Sequence, residues 1–259
     1  MNSPLYSLIT GASSGIGECF ARELAAQGKN VLLVARSSDR LQALAAKLKS
    51  THKILAEPLT TDLSVPGAGD QLAQLVLQRG FEVDLLVNNA GFGARGNFWA
   101  LPLDKQSAMM RLQIEAMMEL NFRLLPGMIV RRKGGIINVS SMTAFQPIPY
   151  AAAYAATKAF MNSFSMALRE ELKPHHVTVV TLCPGGTRTN FVNVGARERR
   201  HKFPGGPQPP EEVVEVALRQ LRRGGGLVVP RFVNKASVFS QRFLPRGTVA
   251  KLLAWMSKP

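Results

Sequence analysis

Leu5-Tyr6-Ser7-Leu8-Ile9-Thr10-Gly11-Ala12-Ser13-Ser14-Gly15-Ile16-Gly17 is the stretch whose reading decides the fold. A short β-like run enters a glycine-rich turn without interruption, and a helix opens inside that turn, runs from about Gly15 to Gln27 and stops at Gly28. Glycines here permit a tight turn and let backbone approach a pyrophosphate, whose charge is favoured at a helix N-terminus. Gly11, Ser13, Ser14, Gly15, Ile16 and Gly17 are therefore read as a dinucleotide cradle. The spacing differs from G-x-G-x-x-G, so on these residues alone an ordinary glycine-rich turn stays open. They also fit G-x-S-x-G, the serine elbow of hydrolases, but that elbow normally follows several strands, whereas Ser13 stands in the first turn of the chain.

Outward from this turn, short runs rich in Val, Ile and Leu alternate with amphipathic stretches. Seven strands are expected, near residues 5–10, 30–35, 54–58, 83–88, 135–139, 177–182 and 227–229. Most are apolar throughout, as strands covered on both faces are. The expectation is an α/β fold, a Rossmann-type doubly wound parallel seven-stranded sheet flanked by helices. One helix should run from Ala151 to Lys173, closed by Pro174, and another should begin at Glu211 after the Pro209-Pro210 break. The chain has 259 residues, 46% of them apolar, enough to bury one full core, so a single catalytic domain over residues 1–259 is expected. Residues 187–210 are a long irregular stretch after a strand carboxyl end and are expected to be a substrate loop.

Composition narrows the function classes. Cys19 and Cys183 lie far apart, without C-x-x-C or metal-ligand spacing, so neither a disulfide framework nor a metal site is expected. No basic leader precedes the first strand, and no window reaches the ~18 apolar residues of a membrane span. A soluble, cytoplasmic protein is expected. The net charge of +15 is concentrated late: residues 187–259 carry +10 of it, and residues 222–259 hold eight Lys or Arg and no acid. No recognition motif accompanies this charge, so nucleic acid is not expected as a partner.

Two further positions carry chemistry. The second strand ends in Val34-Ala35-Arg36, about 20 residues beyond the glycines, where an NAD site places an acid against the ribose. A guanidinium instead holds a 2′-phosphate through charge-assisted bonds, so Arg36, assisted by Arg40, is read as selecting NADP(H); a plain surface arginine is the alternative. Tyr154 and Lys158, four apart on the Ala-rich helix, share one face. A free phenol is a poor base near neutrality, and an adjacent ammonium is expected to lower its pKa toward working range. Ser141 stands just past the apolar strand Ile136 to Val139, at the sheet edge where α/β folds bind ligands.

Together these residues resemble the short-chain dehydrogenase/reductase family over nearly the whole chain. Thr10-Gly11-x-x-x-Gly15-x-Gly17 resembles its cofactor turn, Asp62-Leu63 its adenine contact, Asn88-Asn89-Ala90-Gly91 its sheet-stabilising motif, and Pro184-Gly185-Gly186-Thr187-Arg188-Thr189 the segment along the nicotinamide. The resemblance implies that Asn89, Ala90, Gly91, Pro184, Gly185, Thr187 and Thr189 line the cofactor. It also implies that Ser141 hydrogen-bonds the substrate oxygen, Tyr154 acts as general acid in reduction and base in oxidation, and Lys158 tunes Tyr154 and holds the nicotinamide ribose. Gln113 departs from the family's pattern, which has asparagine there to support a water chain to the lysine. The activity implied is NADP(H)-dependent hydride transfer between nicotinamide and a carbonyl or secondary alcohol. Phe92, Phe98, Trp99, Met142, Phe145, Ile148 and Phe191 point to a lipophilic ketone or 3-oxoacyl substrate, with core packing the equal alternative for these side chains.

A homodimer or homotetramer is also implied. The basic, aromatic stretch 231–259 is expected to be an amphipathic extension, fitting an anionic membrane surface or an acidic carrier, against the plainer reading of helices packed on the body or on a second subunit. A rival to the enzyme reading is an NADP(H)-binding protein of the same fold with little turnover, acting through that basic surface.

Overall fold

The computed structural model describes residues 4–189 and 206–257. Most of the 187–210 loop, with Phe191, lies outside the described residues. Seven strands, β1 (Leu5–Thr10), β2 (Asn30–Ala35), β3 (Ala56–Thr60), β4 (Glu82–Asn88), β5 (Gly134–Val139), β6 (Val177–Leu182) and β7 (Gly226–Val228), form one parallel sheet in the order β3-β2-β1-β4-β5-β6-β7. The helices are α1 (Gly15–Ala26), α2 (Ser38–His52), α3 (Ala68–Gln78), α4 (Leu103–Met110), α5 (Ala116–Arg131), α6 (Ala152–Leu172), α7 (Pro210–Arg222), α8 (Phe232–Ser240) and α9 (Arg246–Ser257).

Alternation along each strand divides the core between two faces. Ile9, Leu33, Ile137 and Val180 join Phe20 and Leu24 of α1, Leu41 of α2 and Val213 and Leu218 of α7. Their neighbours Leu8, Leu32, Ile136 and Val179 join Leu72 of α3, Leu120 and Leu124 of α5 and Leu172 of α6. Both faces are covered, which is why these strands are apolar throughout.

One expected strand is displaced. The third begins at Ala56, paired with Val31, and runs through Pro58 to Thr60. A proline lacks a donor for the ladder, but β3 is the sheet's outer strand, where the missing N–H faces no partner. Strand order reverses between β1 and β4, so the carboxyl ends of these two strands, Thr10-Gly11 and Asn88-Asn89, flank the crevice in which such sheets bind ligands.

Candidate active site

The floor of that crevice is a hydrogen-bonded hub. Thr10 Oγ1 donates to the Val87 carbonyl at 3.3 Å and accepts the backbone N–H groups of Asn89 and Ala90, both at 3.0 Å. Asn89 Nδ2 donates to the carbonyls of Thr10 and Gly11 at 2.9 and 3.3 Å. The turn thereby presses against α1 so closely that a Cβ on Gly17 would lie 2.2 Å from the Gly11 oxygen. Gly11 itself has φ +67°, a conformation that side-chain-bearing residues avoid.

These observations test whether the residues fit a dinucleotide. Ser14 makes no side-chain cap, so the first amides of α1 are left to an anion, and the Cβ-free turn admits a close approach of phosphate. Thr189 closes the cleft from the other side, its methyl 3.0 Å from where a Gly15 Cβ would stand. The same segment is anchored at its start, where the Met142 amide donates to the Pro184 carbonyl at 3.0 Å and Thr187 Oγ1 to the Gly185 carbonyl at 3.2 Å. Pro184 to Thr189 thus spans from the Ser141 side to the glycine turn. The residues fit the cofactor.

At the far end of the crevice, Arg36 Nη1 stands 4.0 Å from Asp62 Oδ2, both side chains well exposed. Burial opposes ionisation of Asp62, but the Ser64 hydroxyl and amide, with the Arg36 charge, hold its carboxyl below the usual range. Leu63 is buried beside it. Arg40 is exposed in the first turn of α2 and makes no ion pair among the described residues.

Three side chains converge beyond the carboxyl end of β5. Ser141 follows β5 and caps a short 3-10 turn, Met142–Phe145, its Oγ accepting the Thr143 amide at 3.1 Å. Tyr154 lies in the first turn of α6 and hydrogen-bonds Ser141. One helical turn on, Lys158 is 4% exposed, its Nζ donating to the Val139 carbonyl at 2.9 Å and lying 5.8 Å from the centre of the Tyr154 ring. The spacing expected from sequence brings the three side chains together.

The electrostatics differ from expectation. Burial pushes the Tyr154 phenol up to about 12, against the opposing pull of the Ser141 hydroxyl, and burial likewise pushes Lys158 down to about 8. Burial is the largest influence on both groups, and no lowering of Tyr154 by Lys158 accompanies it. Near neutral pH the phenol holds its proton beside a lysine still largely charged.

Gln113 is 1% exposed and sits in a π-helical turn, Arg111–Glu115, between α4 and α5. Such turns often mark functional sites. Its Nε2 donates to the Phe92 carbonyl at 2.7 Å, and its Oε1 lies 3.3 Å from the Thr157 hydroxyl, which shares its proton with the nearer Tyr154 carbonyl at 2.8 Å. Both ends of the amide are engaged, clasping the loop after β4 to α6 one residue before Lys158. A second clasp joins Gly96, whose amide donates to the Tyr150 carbonyl at 2.8 Å. Tyr150 has φ +66°, a strained setting for a non-glycine at the entry to α6.

Several contributors escaped the sequence reading. Ser140 Oγ donates to the Lys158 carbonyl at 3.1 Å, and the Cys183 thiol donates to Asn162 Oδ1 at 3.4 Å behind it. Asn138 bridges Asn88 and Ser165, each at 2.8 Å, tying β4 and β5 to α6. The available signal was a polar residue inside an apolar strand, as in Ile136-Ile137-Asn138-Val139. Burial pushes the Cys19 and Cys183 thiols up to about 12, so neither is a nucleophile near neutrality. Among the described residues no group of three or more His, Cys, Asp or Glu is placed to hold a metal, and no helix is long and apolar enough to cross a membrane. Phe98 and Trp99, for which core packing stood as an alternative, are exposed.

Fold and site together define a dinucleotide-binding α/β protein with a Ser-Tyr-Lys cluster at the carboxyl edge of its sheet. The sequence profile of the short chain dehydrogenase family matches residues 6–199, and the chain belongs to that family of oxidoreductases. A very-long-chain 3-oxoacyl-CoA reductase of Pyrenophora tritici-repentis is 31% identical over 225 residues, covering 85% of this chain and 64% of the relative, so the chain spans just under two thirds of that relative's length. A short-chain dehydrogenase from Sphingobium yanoikuyae in complex with NADPH is 30% identical, with a TM-score of 0.83 over 95% of each chain. A 7beta-hydroxysteroid dehydrogenase structure is 25% identical, with a TM-score of 0.84 over 96% of each.

Proposed function

We propose that this chain is an NADPH-dependent reductase of a lipophilic ketone or 3-oxoacyl compound, with Ser141, Tyr154 and Lys158 as its catalytic residues. The observation that carries the reading is the hydrogen-bonded Ser141–Tyr154 pair with the Lys158 ammonium across the phenol ring. The nicotinamide, when bound, supplies hydride. The chain's groups do the rest. Ser141 orients the substrate carbonyl, and the protonated Tyr154 is placed to donate to the oxygen as charge develops on it. Lys158, fixed by the Val139 carbonyl, stabilises the phenolate left behind.

Arg36 supports NADPH over NADH, since its exposed guanidinium follows the carboxyl end of β2, where an NAD site carries an acid that would repel a 2′-phosphate; the Sphingobium yanoikuyae neighbour is in complex with NADPH. An apolar substrate fits exposed Phe98 and Trp99 and the half-buried Met142, Phe145 and Ile148, and it fits the names of the relatives. The loop 187–210 is the substrate loop of this reading. A homo-oligomer is the assembly proposed, supported by Met118 and Phe122, one turn apart and exposed on α5, with Met166 exposed on α6.

The test is NADPH oxidation over a panel of long-chain 3-oxoacyl esters, bulky ketones and short polar aldehydes, with NADH run beside it. Turnover of the apolar carbonyls with NADPH is expected. Preference for short aldehydes over every long-chain ketone overturns the substrate class, and equal use of NADH overturns the cofactor.

A further inference from the structure

Each of the two last helices has one side packed and another bare. In α8, Asn234 is buried, with Ser237 and Val238 partly covered, while Phe232, Val233 and Phe239 are exposed. In α9, Val249 is buried, with Leu253 partly covered, while Leu252 and Trp255 are exposed, Trp255 at 77%. Phe243, between the helices, is 73% exposed and meets the Phe239 ring edge-on at 5.4 Å. The usual surface helix shows polar residues to water, and these show aromatics. Within residues 232–255 seven large apolar side chains are exposed, four of them aromatic.

Charge tells what this face fits. Elsewhere many of the surface cations find acids, as in Arg22–Glu18, Lys49–Glu57 and Arg123–Asp70. Arg231 is held by Glu212 at 2.9 Å. Beyond it, Lys235, Arg246 and Lys251 are exposed and make no ion pair among the described residues, and no acid follows Arg222 in the chain. Exposed aromatics interleaved with unpaired cations suit a surface that is apolar beneath and anionic on top. A second copy of the chain would bring its own unpaired cations against these.

We propose that residues 231–257 dock the protein on an anionic lipid surface. The position of α8 gives the docking a consequence. Its buried Asn234 packs on Gly185, where an added Cβ would meet Nδ2 at 2.8 Å, and α8 contacts the Met142–Phe145 turn that Ser141 caps. The docked face is therefore the outer side of the wall beside the reacting centre. Resting on the reading of the site as a reductase of lipophilic carbonyls, this placement brings the catalytic wall to the phase in which such carbonyls dissolve.

The test uses the full chain without cofactor or substrate, so its failure leaves the oxidoreductase reading untouched. Binding is measured by co-sedimentation with phosphatidylcholine vesicles with and without phosphatidylserine, at low and high salt. The protein has two tryptophans, Trp99 and Trp255, so Trp99→Phe makes Trp255 the sole fluorescent reporter. Binding should require phosphatidylserine, fall in high salt and shift Trp255 emission to the blue. Lys235→Ala and Lys251→Ala should each weaken it about fivefold, and Trp255→Ser should weaken it further, with thermal unfolding unchanged. No binding to phosphatidylserine vesicles at low salt overturns the proposal. So does retention by soluble polyglutamate without vesicle binding, which would make the partner an acidic polypeptide. Emission already blue without vesicles and dependent on protein concentration would assign the face to a second copy and overturn it as well.

Discussion

At Gly11 and Gly17 an added Cβ finds no room, whereas along α8 and α9 large side chains such as Phe232, at 83% exposure, stand open. The first region is determined from within: glycine, Thr10 and Asn89 fix one backbone path, and the ligand that fits it follows from the path. The second is determined from without, because its outward residues are little constrained by the fold and take their meaning from what covers them. Internal constraint is legible as a motif; an outward face is legible only as a composition.

That contrast is open to breakage at several points. Gly17→Ala should act most strongly, forcing backbone away from the Gly11 carbonyl at a cost of about 3 kcal/mol, with a lowered Tm and lost nucleotide binding. A wild-type Tm would show that the turn has slack and dissolve the comparison. Comparable in size is the pH dependence of stability. The folded pKa of Lys158, about 8, lies below its ordinary 10.5, so between these values the unfolded chain binds the extra proton and stability rises with pH. Tyr154 works the other way: its pKa is raised from 10.0 to about 12, so its contribution is lost as pH climbs through that window. Denaturant midpoints should therefore climb from about pH 8 toward 10 and then fall, and Lys158→Met should remove the climb. Arg36→Asp should weaken NADPH binding by about 2 kcal/mol, roughly 30-fold, and leave NADH little changed, read by fluorescence titration. An unchanged NADPH affinity would make Arg36 a surface charge. The smallest effect sharpens the contrast: Trp255→Ser should alter unfolding stability by less than about 0.5 kcal/mol, since its ring touches little of the protein.

Much of the fold was legible because its signals are local. Apolar runs, the glycine turn, Gly28 and Pro174 place the strands and the helix ends to within a residue or two, and the four-residue spacing of Tyr154 and Lys158 needs no tertiary knowledge. What escaped is what the fold assembles from afar. Thr10 meets Asn89 across 79 residues, and Asn138 meets Asn88 across 50 and Ser165 across 27. The edge position that lets β3 run through Pro58 is a property of strand order, which no window of sequence contains. The direction of the Tyr154 shift likewise depends on burial, which the four-residue spacing of Tyr154 and Lys158 does not reveal. Gln113 stood out in sequence as a departure, but its clasp on Phe92 and Thr157 required the π-helical turn to aim it.

The most direct test of the catalytic assignment is NADPH oxidation by the wild type and by Tyr154→Phe on the best ketone of the panel, with NADPH binding measured for both. Loss of turnover by at least ~10²-fold with nucleotide binding retained is expected, since Phe keeps the ring and removes only the proton. Equal turnover in Tyr154→Phe, or NADPH bound by the wild type with no carbonyl reduced, would contradict it.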